Sequence, residues 1–335
     1  MAGSLPLWQS SAMARITAED LIRQLRTTVE QLAEDKASIP DLKIAAGALR
    51  EMREGFKLFA PYRHIKKVST FGSARVKAGD PVFRLAEEFA RRIADCGYMV
   101  ITGAGGGIME ACQRGAGRER SFGVNIRLPH EQQANSIISG DPKLMSFRYF
   151  FTRKLFFLKE ADAVVLFPGG FGTHDEAFET LTLLQTGKTR PVPLVFLDRP
   201  RGTYWSTWRR YVEEHMLRRG MIDRTDFALF RVTDSVDEAV DEILRFYVVF
   251  HSIRYVRELL VIRLQRPLPP SYVEELNRSF ADIVVRGRIE QRGPLPAEQD
   301  EPDLAALPRL VFHFDRLHYG RLRELLNAIN AAPQA

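Results

Sequence analysis

Ala163-Val164-Val165-Leu166-Phe167-Pro168-Gly169-Gly170-Phe171-Gly172-Thr173-His174-Asp175-Glu176 runs from an unbroken apolar stretch into a glycine loop and then into a helical pattern ending near Gln185. A short, continuously apolar run bounded by Pro and Gly reads as a strand buried on both faces, the kind found in parallel sheets covered by helices. Glycine lacks Cβ, so the backbone of such a loop can approach a ligand closely. A strand–loop–helix turn also aims free N–H groups and the positive helix end at an anion. Thr173 adds a hydroxyl. A second stretch has the same layout: a run at 98–101, the loop Thr102-Gly103-Ala104-Gly105-Gly106-Gly107, then a helix through Arg114. Neither loop is GxxxxGK[ST] or GxGxxG. Either glycine turn alone could serve tight packing, but two on one sheet suit a nucleotide-sized ligand.

Outward from these loops, further apolar runs at 68–71, 123–126, 194–197 and 228–232 are predicted strands. Amphipathic stretches at 83–96, 149–159, 176–185, 205–218 and 236–250 are predicted helices. The alternation predicts an α/β, doubly wound parallel sheet over 65–250, with ligands at the carboxyl ends of the strands. Residues 1–64 form an N-terminal helical segment, with Thr17 before one helix and a break at Ile39-Pro40 before a second. Residues 251–335 read as a small βαββα module: strand 259–264, helix 271–283, strands 288–291 and 309–314, helix 319–328.

Composition narrows the class. Of 335 residues, 45% are hydrophobic and 27% charged, which excludes a disordered, collagen-like or disulfide-framework chain. Cys96 and Cys112 lie in no CxxC spacing and are expected to be reduced, in the cytoplasm. No apolar run reaches the length of a membrane helix, and the opening MAGSLPLWQSSAMAR lacks the layout of a signal peptide. The net charge of +6 favours anionic partners without choosing among them. Residues 251–335 hold twelve Arg against eleven acids, interspersed, which is no basic arm for nucleic acid. Histidines 64, 130, 174, 215, 251, 313 and 318 form no HExxH-like cluster, so no protein-held metal is expected.

Four charged residues stand out. Glu176 and Glu179, three apart on a helix, share a face just past the glycine loop. Carboxylates there either complement the helix dipole or lie near the sugar of a bound nucleotide, where they could stabilise an oxocarbenium-like centre or activate water. Arg153-Lys154 interrupts the aromatic run Tyr149–Phe157, so the pair must reach solvent, a carboxylate or a ligand. Ser73, in Phe71-Gly72-Ser73-Ala74-Arg75, offers a phosphate or ribose contact or is a plain turn. His174 reads either as a ligand contact or as an exposed turn residue.

PGGFGTHDE (168–176) resembles the PGGxGTxxE motif of the LONELY GUY family, long described as possible lysine decarboxylases. TGAGGGIMEACQRGA (102–116), GVNIRLPHEQQAN (123–135) and FRYFFTRKLFFLKEADAVVLFPGGFGT (147–173) resemble its larger bacterial members. The resemblance implies a Rossmann-like fold, a homodimer, and hydrolysis of the N-glycosidic bond of nucleoside 5′-monophosphates, including cytokinin ribotides, with no cofactor and no metal. It implies that Arg153 and Glu176 are catalytic and that Gly169, Gly170, Gly172 and Thr173 bind phosphate. Gly72, Ser73, Gly103, Gly105, Gly106, Gly107, Met145, Lys154 and Glu179 complete the expected substrate-binding set. Ala104 stands where the family usually has Gly, Gly106 where larger members often have Pro, and Arg148 where a His is expected. The rival readings are a nucleotide- or cofactor-binding sensor without turnover and, third, a pyridoxal-phosphate decarboxylase using Lys154.

Overall fold

In a computed structural model, residues 17–127 and 133–334 are described. The opening segment weighed as a signal peptide, His130 and part of the 123–135 motif lie outside them. Seven parallel strands form the main sheet: β1 (Lys67–Phe71), β2 (Met99–Thr102), β3 (Ser121–Ile126), β4 (Leu144–Phe147), β5 (Ala163–Leu166), β6 (Leu194–Leu197) and β7 (Arg231–Thr233). Their order is β4-β3-β2-β1-β5-β6-β7. β1, β2, β3, β5 and β6 are buried at every position, as their continuous apolar runs require.

Helices cover both faces. α1 (Ala18–Glu34) and α2 (Ile39–Phe59) come first, each with an oxygen-bearing N-cap, Thr17 and Ser38. α3 (Pro81–Asp95) and α4 (Ile108–Ala116) follow, then α5 (Phe150–Lys159), α6 (Phe171–Gln185), α7 (Tyr204–Tyr211) and α8 (Val236–Arg245). Phe83, Phe89 and Ile93 of α3, Ile108 of α4 and Ile243 of α8 share one core with Val68, Val100 and Val165. Phe59 of α2, Phe156 and Phe157 of α5, Leu184 of α6 and Trp205 of α7 share the other with Ile101, Leu166 and Phe196. This is the expected doubly wound α/β fold.

Four antiparallel strands form a second sheet, ordered β10-β11-β9-β8: β8 (Phe250–Val256), β9 (Leu259–Leu264), β10 (Glu290–Arg292) and β11 (Arg309–Phe312). With α9 (Pro270–Ser279) and α10 (Tyr319–Asn330) they enclose a separate apolar core.

Three sequence expectations are corrected. β4 was missed because it is a short edge strand, alternately buried, in a polar neighbourhood. The helix expected over 236–250 stops at Arg245, and Phe250 opens β8, so the tail reads ββαββα. The run at 228–232 is a 3₁₀ turn (Arg224–Leu229) followed by β7.

α2 supplies the packing partner that the sequence could not name. Glu51 is buried against the start of α5: its Oε1 accepts the Arg148 N–H at 2.6 Å, and its Oε2 accepts the Thr152 hydroxyl at 2.5 Å. The strand order reverses between β1 and β5, which opens a crevice at their carboxyl ends where open α/β sheets bind ligands.

Candidate active site

The crevice is a cavity of about 750 Å³ lined from the carboxyl ends of β1 and β5 and from α4 to α7. The β1 loop gives Gly72 and Ser73, and the β5 loop gives Gly169, Gly170, Gly172 and Thr173. Gly103, Arg153 and Glu176 complete the expected residues on its wall. The two loops are joined directly, since the Ser73 N–H donates to the Pro168 carbonyl at 3.1 Å. Gly169 has to be glycine: a Cβ there would stand 2.1 Å from the Thr173 hydroxyl and 2.9 Å from the Ser73 nitrogen. α6 begins earlier than expected, at Phe171, so Gly172 and Thr173 lie in its first turn and Glu176 in its second.

Arg153 reaches the cavity along β3. Its Nε donates to the Val124 carbonyl at 2.8 Å, and its guanidinium lies 5.0 Å from the centre of the Phe157 ring. It also rests on Gly103, where a Cβ would meet Nη2 at 2.4 Å, so the missing side chain is what admits the arginine. Burial lowers its pKa, and the Glu176 carboxylate works the other way.

Glu176 is 5% exposed, and its Oε2 has no hydrogen-bond partner. Its Oε1 lies 3.5 Å from the Lys154 ammonium. Burial raises its pKa to about 7, against the opposing pull of Lys154 and, more weakly, Arg153. A buried carboxylate oxygen without a donor is costly to maintain. Lys154 bonds Glu179 at 2.5 Å and Asp175 at 2.7 Å. Burial disfavours its ammonium, but these two carboxylates outweigh it and raise the lysine's pKa.

The remaining expected residues stand back from the cavity. Glu179 turns to Lys154, so the shared helix face serves the lysine. Met145 belongs to the apolar core beneath β4. Gly105, Gly106 and Gly107 lie in a loop held from behind: Asn135 donates to the Gly105 carbonyl at 2.9 Å, and the Ile108 N–H donates to Ser73 O at 3.0 Å. Ala104 adopts φ of 62° and is fully buried, so its methyl bears left-handed strain and lies toward Gly123. Arg148 lies over Tyr149 with its N–H on Glu51.

Thr70, Phe71, Ala74, Arg75, Met109, Phe150, Phe171, His174, Asp175 and Tyr204 also line the cavity. Phe171 is 97% exposed and Phe150 54% exposed, two aromatic faces at the mouth. A phenylalanine between two loop glycines was the sequence signal for the first. Tyr204 carried no such signal, because it arrives from the loop after β6. His174 is partly buried rather than exposed, in the first turn of α6, with its Nε2 2.7 Å from the Tyr204 hydroxyl.

Residues 107–243 match the family described as possible lysine decarboxylase. A probable cytokinin riboside 5′-monophosphate phosphoribohydrolase of Oryza sativa subsp. japonica is 29% identical over 150 residues, 43% of this chain. The chain spans 61% of the length of that curated relative. An X-ray structure from a structural genomics consortium superposes on 54% of this chain and 99% of its own, at 25% identity and a TM-score of 0.39. The molybdenum cofactor binding protein of Rippkaea orientalis superposes on 54% of this chain and 94% of its own, at 16% identity and a TM-score of 0.37. Over residues 107–243, a stretch that includes the glycine loop and Glu176, the chain is therefore similar to the family described as possible lysine decarboxylase.

Proposed function

We propose that the protein hydrolyses the N-glycosidic bond of nucleoside 5′-monophosphates, releasing free base and ribose 5-phosphate. The observation that carries this reading is Glu176, a buried carboxylate with one unpartnered oxygen on the wall of the cavity that also holds the Gly169–Thr173 loop and Arg153. The free N–H groups at the start of α6 and the Thr173 hydroxyl suit a 5′-phosphate. Phe150 and Phe171 offer faces on which a base can stack.

In the reaction the C1′–N bond breaks, and its electron pair leaves with the base. Positive charge spreads over C1′ and the ring oxygen, and water adds its oxygen to C1′. Ionised Glu176 stabilises that charge and takes the water's proton. The departing base takes up a proton from solvent at its nitrogen, and Glu176 releases its own, so that free base, ribose 5-phosphate and the ionised carboxylate are left. Arg153 orients the nucleotide or supports charge on the departing base, the two roles its bidentate fork allows. Lys154 opposes the burial that raises the Glu176 pKa, so that an ionised fraction persists near neutral pH, and Glu179 and Asp175 hold the lysine. The same ion pairs argue against a decarboxylase, because a Schiff-base lysine must lose the proton that these carboxylates retain.

The test is incubation of the purified chain with AMP, GMP and isopentenyladenosine monophosphate, with chromatography for free base. Release from at least one, lost in Glu176→Ala, supports the reading. Three intact nucleotides together with unchanged binding in Glu176→Ala would reject it in favour of a binding protein.

A further inference from the structure

Tyr204 stands at the first position of α7, far in sequence from the glycine loop, yet it lines the cavity. Its backbone is fixed from below. Asp198, buried at the end of β6, accepts the Tyr204 N–H at 2.8 Å and the Arg199 N–H at 2.8 Å. The Tyr204 hydroxyl donates to the Gly169 carbonyl. With that one proton committed, the 2.7 Å contact with His174 Nε2 has the imidazole N–H as donor and the phenol oxygen as acceptor. His174 is placed for this by stacking beside Phe178 and against Trp205, and its burial lowers its pKa, which keeps the ring neutral.

The consequence falls on the loop. In a trans peptide the C=O and the following N–H point in opposite directions. Holding Gly169 O toward Tyr204 therefore turns the Gly170 N–H the other way. Gly170 has open space around it and lines the cavity. A two-glycine segment without such a tether would sample several peptide orientations and lose donor alignment.

We propose that Tyr204 is a positioning residue that fixes the Gly169–Gly170 peptide with its N–H directed at the substrate's phosphate, and that His174 acts through Tyr204 by locking its hydroxyl. This rests on the phosphate-binding part of the reading above, and it adds residues that the PGGxGTxxE pattern leaves unspecified.

The experiment combines calorimetric titration of the full chain with ribose 5-phosphate and steady-state kinetics on AMP. Tyr204→Phe, His174→Leu and His174→Gln are compared with the unaltered protein, each checked by thermal melting. Tyr204→Phe should weaken ribose 5-phosphate binding about tenfold and raise KM similarly, with kcat changed less than about threefold, as expected for one lost hydrogen bond. His174→Leu should move in the same direction, and combining it with Tyr204→Phe should add little. His174→Gln keeps an N–H donor and should restore most of the affinity. Should Tyr204→Phe fail to fold, the two His174 variants carry the same test.

Unchanged ribose 5-phosphate affinity in Tyr204→Phe, or a fall in kcat at constant KM, would overturn the proposal even if AMP is cleaved. If no nucleotide is cleaved but the affinity pattern holds, the hydrolase reading fails and the positioning role stands. An unaltered protein that binds no ribose 5-phosphate overturns both.

Discussion

Glu176 has a lysine 3.5 Å from one oxygen and no hydrogen-bond partner for the other, inside a fold that would be more stable without its charge. Burial raises its pKa from the usual 4.5 to about 7. The folded state therefore binds this proton more tightly than the unfolded chain does. The stability it confers is complete below about pH 4.5 and is lost as pH rises through about 7. The difference corresponds to roughly 3 kcal/mol at most. Glu176→Gln should accordingly raise the melting temperature at pH 8 and leave it nearly unchanged at pH 4, while lowering turnover by about two orders of magnitude or more. Scanning calorimetry at the two pH values checks the first effect, and base release checks the second. Activity that needs the ionised form should fall as pH drops below about 7. Removing the nearest counter-charge with Lys154→Met should move that acidic limb to higher pH, and an unmoved limb in a pH–rate profile would mean that another group titrates. The sequence pointed to Glu176 by its place just past the glycine loop, to Arg153 by the charged pair it forms inside an aromatic run, and to both by the motif resemblance. It was silent on Tyr204, which joins them only through tertiary folding.

α2 and α5 show how an element outside the main sheet bears on the site. Glu51 holds the first turn of α5, the helix that carries Arg153 and Lys154. Glu51→Ala leaves the part-buried Arg148 N–H without its acceptor and the Thr152 hydroxyl with the Tyr149 carbonyl alone, so it should cost about 1–3 kcal/mol in urea unfolding. It should also lower kcat/KM, because the start of α5 loses its anchor. Gly55→Ala disturbs the same helix pair at another point by overpacking, since its Cβ would stand 2.2 Å from the Phe156 ring. A loss of about 1–3 kcal/mol is expected in the same assay. The long periodic elements were legible from sequence because their apolar faces repeat. β4 and β8 were not: one is a four-residue edge strand, and the other carries His251, Ser252 and Arg254 within its run. The early start of α6 was hidden by its own glycines, which the helix tolerates at its first turn because the site needs them there.

Across the whole molecule, the second sheet has its own charged centre. Glu298 accepts from both Arg263 and Arg309, all three buried, and Glu301 joins through Arg263. Glu298→Ala would leave the buried Arg309 without a carboxylate and Arg263 with Glu301 alone, and should cost about 3–5 kcal/mol. Hydrogen exchange should show the loss over 250–330, with the seven-stranded sheet protected as before. Arg323 of α10 links this part to the main sheet through the Val192 carbonyl at 3.3 Å and Glu242 of α8 at 2.5 Å. The sheet, its crevice and the carboxylate within it are what the proposed chemistry requires of the molecule. The most direct measurement is AMP turnover in ¹⁸O-labelled water with mass analysis of the products. The account predicts unlabelled adenine and ribose 5-phosphate carrying one ¹⁸O at C1, both formed at least about a hundredfold more slowly by Glu176→Gln. Adenosine with labelled phosphate would contradict it, as would recovery of AMP, GMP and isopentenyladenosine monophosphate all intact.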